Sequence, residues 1–187
     1  MSLIDLLNKK SILPLESEAL IGREEEIEVP EEHFIKGTPL KGPFPDNLKQ
    51  AIFGMGCFWG VERRFWEMEG VYSTSAGYAG GYTKNPSYKE VCTGETGHAE
   101  VVKLTYDSKK ISYEKIIDYF FEFHDPTTLN RQGPDIGTQY RSEIFYLNDQ
   151  QKITAEKIIE KENLKLSGKV VTKTSLLKNY CPAEEYH

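Results

Sequence analysis

The chain is short of cysteine, has no excess of positive charge and contains no long apolar run, and each lack removes a class of function. Three cysteines in 187 residues, without a C-x-x-C pair, make neither a disulfide framework nor a standard zinc site. His98, His124 and His187 do not complete a zinc-ligand spacing with them. Lysine and arginine number 23 against 29 aspartates and glutamates, a net charge of −6. Nucleic acid and anionic membrane call for clustered positive charge, so neither is expected as the main partner. No apolar run approaches the ~20 residues of a membrane span. Leu6 and Leu7 precede Lys9 and Lys10 with no basic segment ahead of a long apolar stretch, so no signal peptide is read and a cytoplasmic protein is expected. Repeats and low-complexity tracts are also missing. What is present is an ordinary globular mixture, 39% hydrophobic and 28% charged, on a chain long enough to bury one core.

Residues 1–48 differ from the rest. Glu24, Glu25, Glu26, Glu28, Glu31 and Glu32 form an acidic run, and Pro39, Pro43 and Pro45 follow. Proline denies helix and central strand, so an arm, partly extended and wrapped over the domain, is expected there. Residues 49–187 are regular. An apolar strand over 51–55 leads into a helix over 58–69, with Phe58, Val61, Phe65 and Met68 on one face and Gly70 as its stop. Strands are expected over 71–79, 100–106, 143–147 and 170–175, the second with half-buried alternation. Helices are expected over 113–121, capped by Ser112, and over 149–164. This order implies an α+β two-layer sandwich: a mixed sheet with helices packed on one side, a ferredoxin-like core and an N-terminal arm. The Gly-Tyr-rich segment 77–82 and residues 130–140 read as ordered loops, where polar residues carry function more often than packing.

Cys57 lies in Gly56-Cys57-Phe58-Trp59-Gly60, at the start of the first helix. Free N–H groups and the positive dipole end there stabilise a thiolate. Phe58 and Trp59 offer an apolar lining beside it. Glu100 begins a strand, and is either an exposed strand-end residue or a desolvated carboxylic acid able to donate a proton. Tyr82, Tyr88 and Tyr140 are either core tyrosines or hydroxyl donors. Asp135 is either a turn residue or a grip on a substrate N–H. Cys92 reads as a small buried residue.

The ordered segments Gly56-Cys57-Phe58-Trp59-Gly60, Gly77-Tyr78-Ala79-Gly80-Gly81, Asn85-Pro86-Ser87-Tyr88, Val91-Cys92-Thr93-Gly94, Thr96-Gly97-His98-Ala99-Glu100, His124-Asp125-Pro126-Thr127, Arg131-Gln132-Gly133, Gly137-Thr138-Gln139-Tyr140-Arg141-Ser142 and Ala183-Glu184-Glu185-Tyr186-His187 resemble the A-type peptide methionine sulfoxide reductases over residues 50–187. The resemblance implies reduction of the S epimer of methionine sulfoxide, free or in proteins, through a cysteine sulfenic acid. It implies Cys57 as nucleophile, Glu100 as proton donor, Tyr88 and Tyr140 as donors to the sulfoxide oxygen, and Asp135, Phe58 and Trp59 as substrate-binding residues. It implies no bound cofactor or metal, an external thiol such as thioredoxin or dithiothreitol as reductant, and a monomer. In many relatives the resolving cysteines lie in a Gly-rich tail. Here Cys181 either takes that role or packs, or the chain continues past His187. Rival readings are another thiol-based peroxide or disulfide reductase, distinguished by substrate, and a methionine-binding adaptor, which would work without Cys57.

Overall fold

Strand and helix alternate from Leu48 onward because the apolar period switches between 2 and 3.6. The protein's structure, a computed structural model, is described for residues 10–187. Leu6, Leu7 and Lys9, which entered the reading of the N-terminus, lie outside the described residues. In order come β1 (Leu48–Met55), α1 (Phe58–Trp66), β2 (Val71–Ala79), α2 (Tyr88–Val91), β3 (Ala99–Asp107) and α3 (Tyr113–Phe123). There follow a hairpin of β4 (Arg131–Gln132) and β5 (Asp135–Ile136), then β6 (Ser142–Tyr146), α4 (Asp149–Lys165), β7 (Lys173–Leu176) and β8 (Tyr180–Pro182). Six strands form one mixed sheet in the order β7-β6-β1-β3-β2-β8. Only β6 and β7 run parallel; the other neighbours are antiparallel.

Alternation sorts the strand residues into two cores. Phe53 and Met55 of β1, Val102 and Leu104 of β3 and Ile144 of β6 pack with Phe58 and Phe65 of α1, Ile116 and Phe120 of α3, and Ile158 of α4. Ile52, Ala79, Ala99, Val101 and Phe145 form a smaller cluster of their own, closed by Leu177 and Tyr180. β3 is therefore buried on both faces and not half-buried, because the C-terminal segment covers the side away from the helices. Lys103 survives there by laying its ammonium 4.3 Å from the Tyr180 ring centroid.

Caps set the helix starts. Ser112 Oγ accepts the Lys115 N–H, as the sequence implies, and Asn148 Oδ1 does the same for Gln151. Ser87 and Glu90 build a capping box around the short α2, which periodicity over four residues does not reveal. β8 was also not legible: it pairs with β2 through Gly77, where a Cβ would come within 2.4 Å of the Tyr180 ring. The strand expected over 170–175 starts three residues later and ends one later, and residues 130–140 fold into the β4–β5 hairpin plus a 3-10 turn, Thr138–Tyr140.

Residues 10–47 contain one 3-10 turn, Glu16–Glu18, and are tied down by scattered hydrogen bonds. Leu20 N–H donates to Glu95 O and Arg23 N–H to Lys84 O. His33 is the deepest of these anchors. Its Nδ1 accepts the Ile35 and Lys36 N–H groups, so its proton sits on Nε2 and is donated to Thr74 Oγ1, which in turn donates to the buried Glu62. Burial and the nearby Lys36 charge both lower the His33 pKa, in keeping with that neutral tautomer.

Candidate active site

Gly56 turns the chain from β1 into α1 at φ +89°, and any Cβ there would strike Gln132 at 2.6 Å. Cys57 then occupies the N-cap position without a hydrogen bond from its side chain to the helix, and the Trp59 N–H nearby pulls the thiol pKa down. The helix start therefore lowers the thiol pKa, as the sequence suggests. The net direction is nevertheless upward, which corrects the expectation of a resting thiolate. Burial is the largest cause, and negative charge on Glu100, Asp135 and Cys92 adds to it.

Glu100 is 1% exposed, which excludes an exposed strand-end residue. It stands on β3 opposite Tyr78 of β2. Its Oε2 accepts the Phe58 N–H at 3.1 Å, and its Oε1 is buried with no partner. Burial lifts its pKa to about 7; the Phe58 hydrogen bond opposes the rise and Asp135 reinforces it. A substantial fraction is thus a neutral acid near neutral pH, with one oxygen free.

The tyrosines and Asp135 arrive from separate elements. Tyr88 opens α2, and the Cys92 N–H one turn on donates to its carbonyl at 2.9 Å. Tyr140 ends the 3-10 turn after the β4–β5 hairpin. Burial raises both phenol pKa values, and both feel the Glu100 charge. Asp135, at the start of β5, is close enough to act on Cys57, Glu100 and Tyr140. Tyr82 stays half exposed against Gly97.

Phe58 and Trp59 diverge. Phe58 is 1% exposed, belongs to the main core and stacks on Tyr88 with ring centroids 6.3 Å apart. Trp59 is 57% exposed, and its indole N–H donates to His187 Nδ1 at 2.7 Å. The remaining His187 nitrogen, Nε2, is buried without a hydrogen-bond partner. The His187 ring itself lies 4.9 Å from Phe58 and 4.6 Å from Tyr88.

Glu184, which sequence reasoning did not single out, and Cys92, which it read as a small buried residue, complete this cluster. Glu184 accepts both the Tyr78 hydroxyl and the Tyr88 N–H, each at 2.8 Å, and so ties the C-terminal segment to β2 and α2. Its presence in the Ala183–His187 motif was the only signal, because nothing local tells what a carboxylate 96 residues from Tyr88 will meet. Cys92 is half-buried beside Tyr88 rather than a plain core residue. A cavity of about 710 Å³ between arm and C-terminal segment includes Glu62, Trp66, Glu184 and His187 but neither Cys57 nor Glu100. Among the described residues, no three His, Cys, Asp or Glu side chains gather as a metal site, and no helix is long and apolar enough to cross a membrane.

A half-buried thiol at a helix start, a buried acid with one free oxygen and two phenols near that acid define a thiol-dependent oxidoreductase with acid assistance. The family model described as peptide methionine sulfoxide reductase matches residues 49–187. A peptide methionine sulfoxide reductase MsrA of Pelagibacter ubique is 69% identical over 140 residues, 75% of this chain and 95% of that protein. Methionine sulfoxide reductase A of Corynebacterium diphtheriae superposes with a TM-score of 0.83 at 35% identity, covering 94% of this chain and 88% of that one. Mxr1 of Saccharomyces cerevisiae, solved in complex with Trx2, superposes with a TM-score of 0.58 at 26% identity over 75% of this chain and 84% of that one. The chain belongs to the A-type peptide methionine sulfoxide reductases, and it reduces methionine sulfoxide to methionine in the repair of oxidised protein.

Proposed function

We propose that Cys57 is the nucleophile and Glu100 the proton donor in reduction of the S epimer of methionine sulfoxide. The observation that carries this reading is the Glu100 carboxyl beside Cys57, with Oε2 held by the Phe58 N–H and Oε1 buried and unpaired. A sulfoxide sulfur is electrophilic, but its oxygen leaves poorly. Glu100 protonates that oxygen, Tyr88 and Tyr140 donate hydrogen bonds to it, and the Cys57 sulfur attacks. The oxygen passes to Cys57 as a sulfenic acid and methionine departs. The substrate sulfur gains two electrons and the Cys57 sulfur loses them. Burial, then the charges of Glu100 and Asp135, push the Cys57 thiol up, so the small fraction already ionised is what attacks.

Phe58 and Trp59 receive the S-methyl group, and Asp135 binds the substrate amide. The R epimer would turn its oxygen toward the apolar rings, leaving a polar group unpaired at a cost of about 1–3 kcal/mol. A dithiol of the thioredoxin class restores the enzyme; the solved yeast Mxr1–Trx2 complex supports that partner. The enzyme acts as a cytoplasmic monomer without a bound cofactor. Residues 49–187 form the catalytic domain and 1–48 its arm. The four-strand order β6-β1-β3-β2, with α1 and α3 as crossovers, supports a ferredoxin-like core in a two-layer sandwich.

The test is an epimer-resolved assay with dithiothreitol. The wild type is expected to consume the S epimer alone, and Cys57→Ser to lose all activity while keeping its melting temperature. Equal loss of both epimers would remove the stereochemical argument, and an active Cys57→Ser would remove the nucleophile.

A further inference from the structure

The face of α1 that begins beside Cys57 continues into the cavity under the arm. Trp59, Glu62 and Trp66 stand at i, i+3 and i+7 and share that face. Along the axis Glu62 lies about 4.5 Å and Trp66 about 10.5 Å beyond Trp59. Glu62 and Trp66 both line the cavity of about 710 Å³. That volume is within the range of about 300–1,000 Å³ that receives a drug-sized ligand. His187 joins the two regions, because it lines the cavity, accepts the Trp59 indole N–H and touches the Phe58 and Tyr88 rings.

The cavity combines unpartnered apolar groups with negative charge. A turn of the arm is closed by the Glu32–Pro39 bridge and pinned by Lys36 Nζ, which donates to the Trp66 carbonyl at 3.0 Å. This turn holds Phe34 98% exposed, and Ile35 and Tyr186 are exposed around the same cavity. Glu32, Glu62, Glu184 and Glu185 line it, and no lysine or arginine does. Glu62 is only 9% exposed. Among the described residues it accepts one hydrogen bond, from Thr74 to Oε1 at 3.0 Å, which leaves Oε2 to the cavity. Burial raises the Glu62 pKa, and the lowered pKa values of His33 and His187 keep both imidazoles from serving as its counter-charge near neutral pH.

We infer that this cavity is a subsite for a lysine or arginine side chain two residues from the methionine sulfoxide in a protein substrate. The reacting end is Cys57 with Trp59, as proposed above. In an extended chain, side chains two residues apart point the same way and stand about 7 Å apart. With the sulfoxide at Trp59, the second side chain therefore falls between Glu62 and Trp66. Its methylene stem lies on Phe34 and Trp66, and its cation meets Glu62 Oε2, with the exposed Glu185 adding charge. An aspartate or glutamate in that place faces only carboxylates and is rejected. The net charge of −6 favours basic segments in the same sense at longer range.

The test uses the full chain with dithiothreitol and three capped pentapeptides. Each has a central methionine-S-sulfoxide, alanine on either side of it, and lysine, alanine or glutamate at both ends. For the wild type, kcat/KM should be about tenfold higher with lysine than with alanine, through KM and not kcat, and lower again with glutamate. Added salt should narrow the spread. Glu62→Gln keeps the Oε1 acceptor for Thr74 and should bring the lysine-to-alanine ratio toward unity. Phe34→Ala, at an exposed position, should lower that ratio while the melting temperature holds. Equal kcat/KM for the three peptides, or a ratio that survives both substitutions, overturns the inference. A dimer on sedimentation that Phe34→Ala dissociates also overturns it, since a second copy then fills the cavity. If no peptide is reduced, the nucleophile assignment fails instead; fluorescence anisotropy of the same peptides, labelled, then still reads the lysine preference.

Discussion

The backbone N–H of Phe58 donates to Glu100 Oε2 at 3.1 Å, across 42 residues of sequence. This bond places the carboxyl against the first turn of α1, directly beside the residue that follows Cys57. It also uses one carboxyl oxygen and leaves the other unpaired, which is the state an acid needs if substrate is to supply the missing partner. The same N–H opposes the rise in pKa caused by burial, so that Glu100 comes to rest near 7 and not far above it.

A first prediction follows for pH. The reactive form holds a proton on Glu100 and none on Cys57. With Glu100 near 7 and Cys57 above its ordinary value, the rate of sulfenic acid formation should rise with pH up to about 7. It should then level, because each further unit removes as much acid as it adds thiolate. Glu100→Gln should be slower by at least about 10²-fold. Its rate should go on rising through the plateau region, since only the thiol then titrates. Single-turnover quench at fixed substrate across the pH range reads this. A wild-type plateau retained in Glu100→Gln would assign the break to another group.

The two rings after Cys57 separate by burial. Phe58→Ala empties a core position and should destabilise the fold by about 3–5 kcal/mol, read by denaturant melts. Trp59→Ala removes a largely exposed ring and should change the melting temperature little. It should raise KM and lower kcat/KM for methionine sulfoxide about tenfold through the lost methyl contact. An unaltered kcat/KM would confine Trp59 to its bond with His187.

Acid should loosen the arm. His33 has its pKa lowered in the fold, so its contribution is present above the ordinary value of 6.5 and is lost as pH falls below it. Protonated Nδ1 can no longer accept the Ile35 and Lys36 N–H groups, and Lys36 adds repulsion. Hydrogen exchange at Ile35 and Lys36 should therefore speed up between pH 7.5 and 5 beyond its intrinsic pH trend, in the wild type only. His33→Ala should show fast exchange at both values and lose about 1–3 kcal/mol, because Thr74 and Glu62 lose their donor chain. Protection at Ile35 that is indifferent to pH would remove His33 as the latch.

Much of this protein was legible along the chain because the signals are local. The 3.6 period of Phe58, Val61 and Phe65, the cap Ser112, the Gly56 before Cys57 and the apolar run of β1 all arise within one helical turn or one strand. The ordered motifs likewise assigned the family, and with it the reaction. What the chain order left open were quantities set by distant groups. Whether Glu100 was an exposed strand end or a buried acid was decided by the packing of β3 between two cores. The Cys57 pKa went up although its helix position pulls it down, because burial and the charges of Glu100 and Asp135 outweigh one N–H. The pairing of β8 with β2, the grip of Glu184 on Tyr78 and Tyr88, and the seat of Cys92 beside Tyr88 are contacts that no local period encodes. Propensity and capping depend on neighbours in sequence, whereas desolvation and charge coupling depend on neighbours in space, and only the folded sheet brings those together.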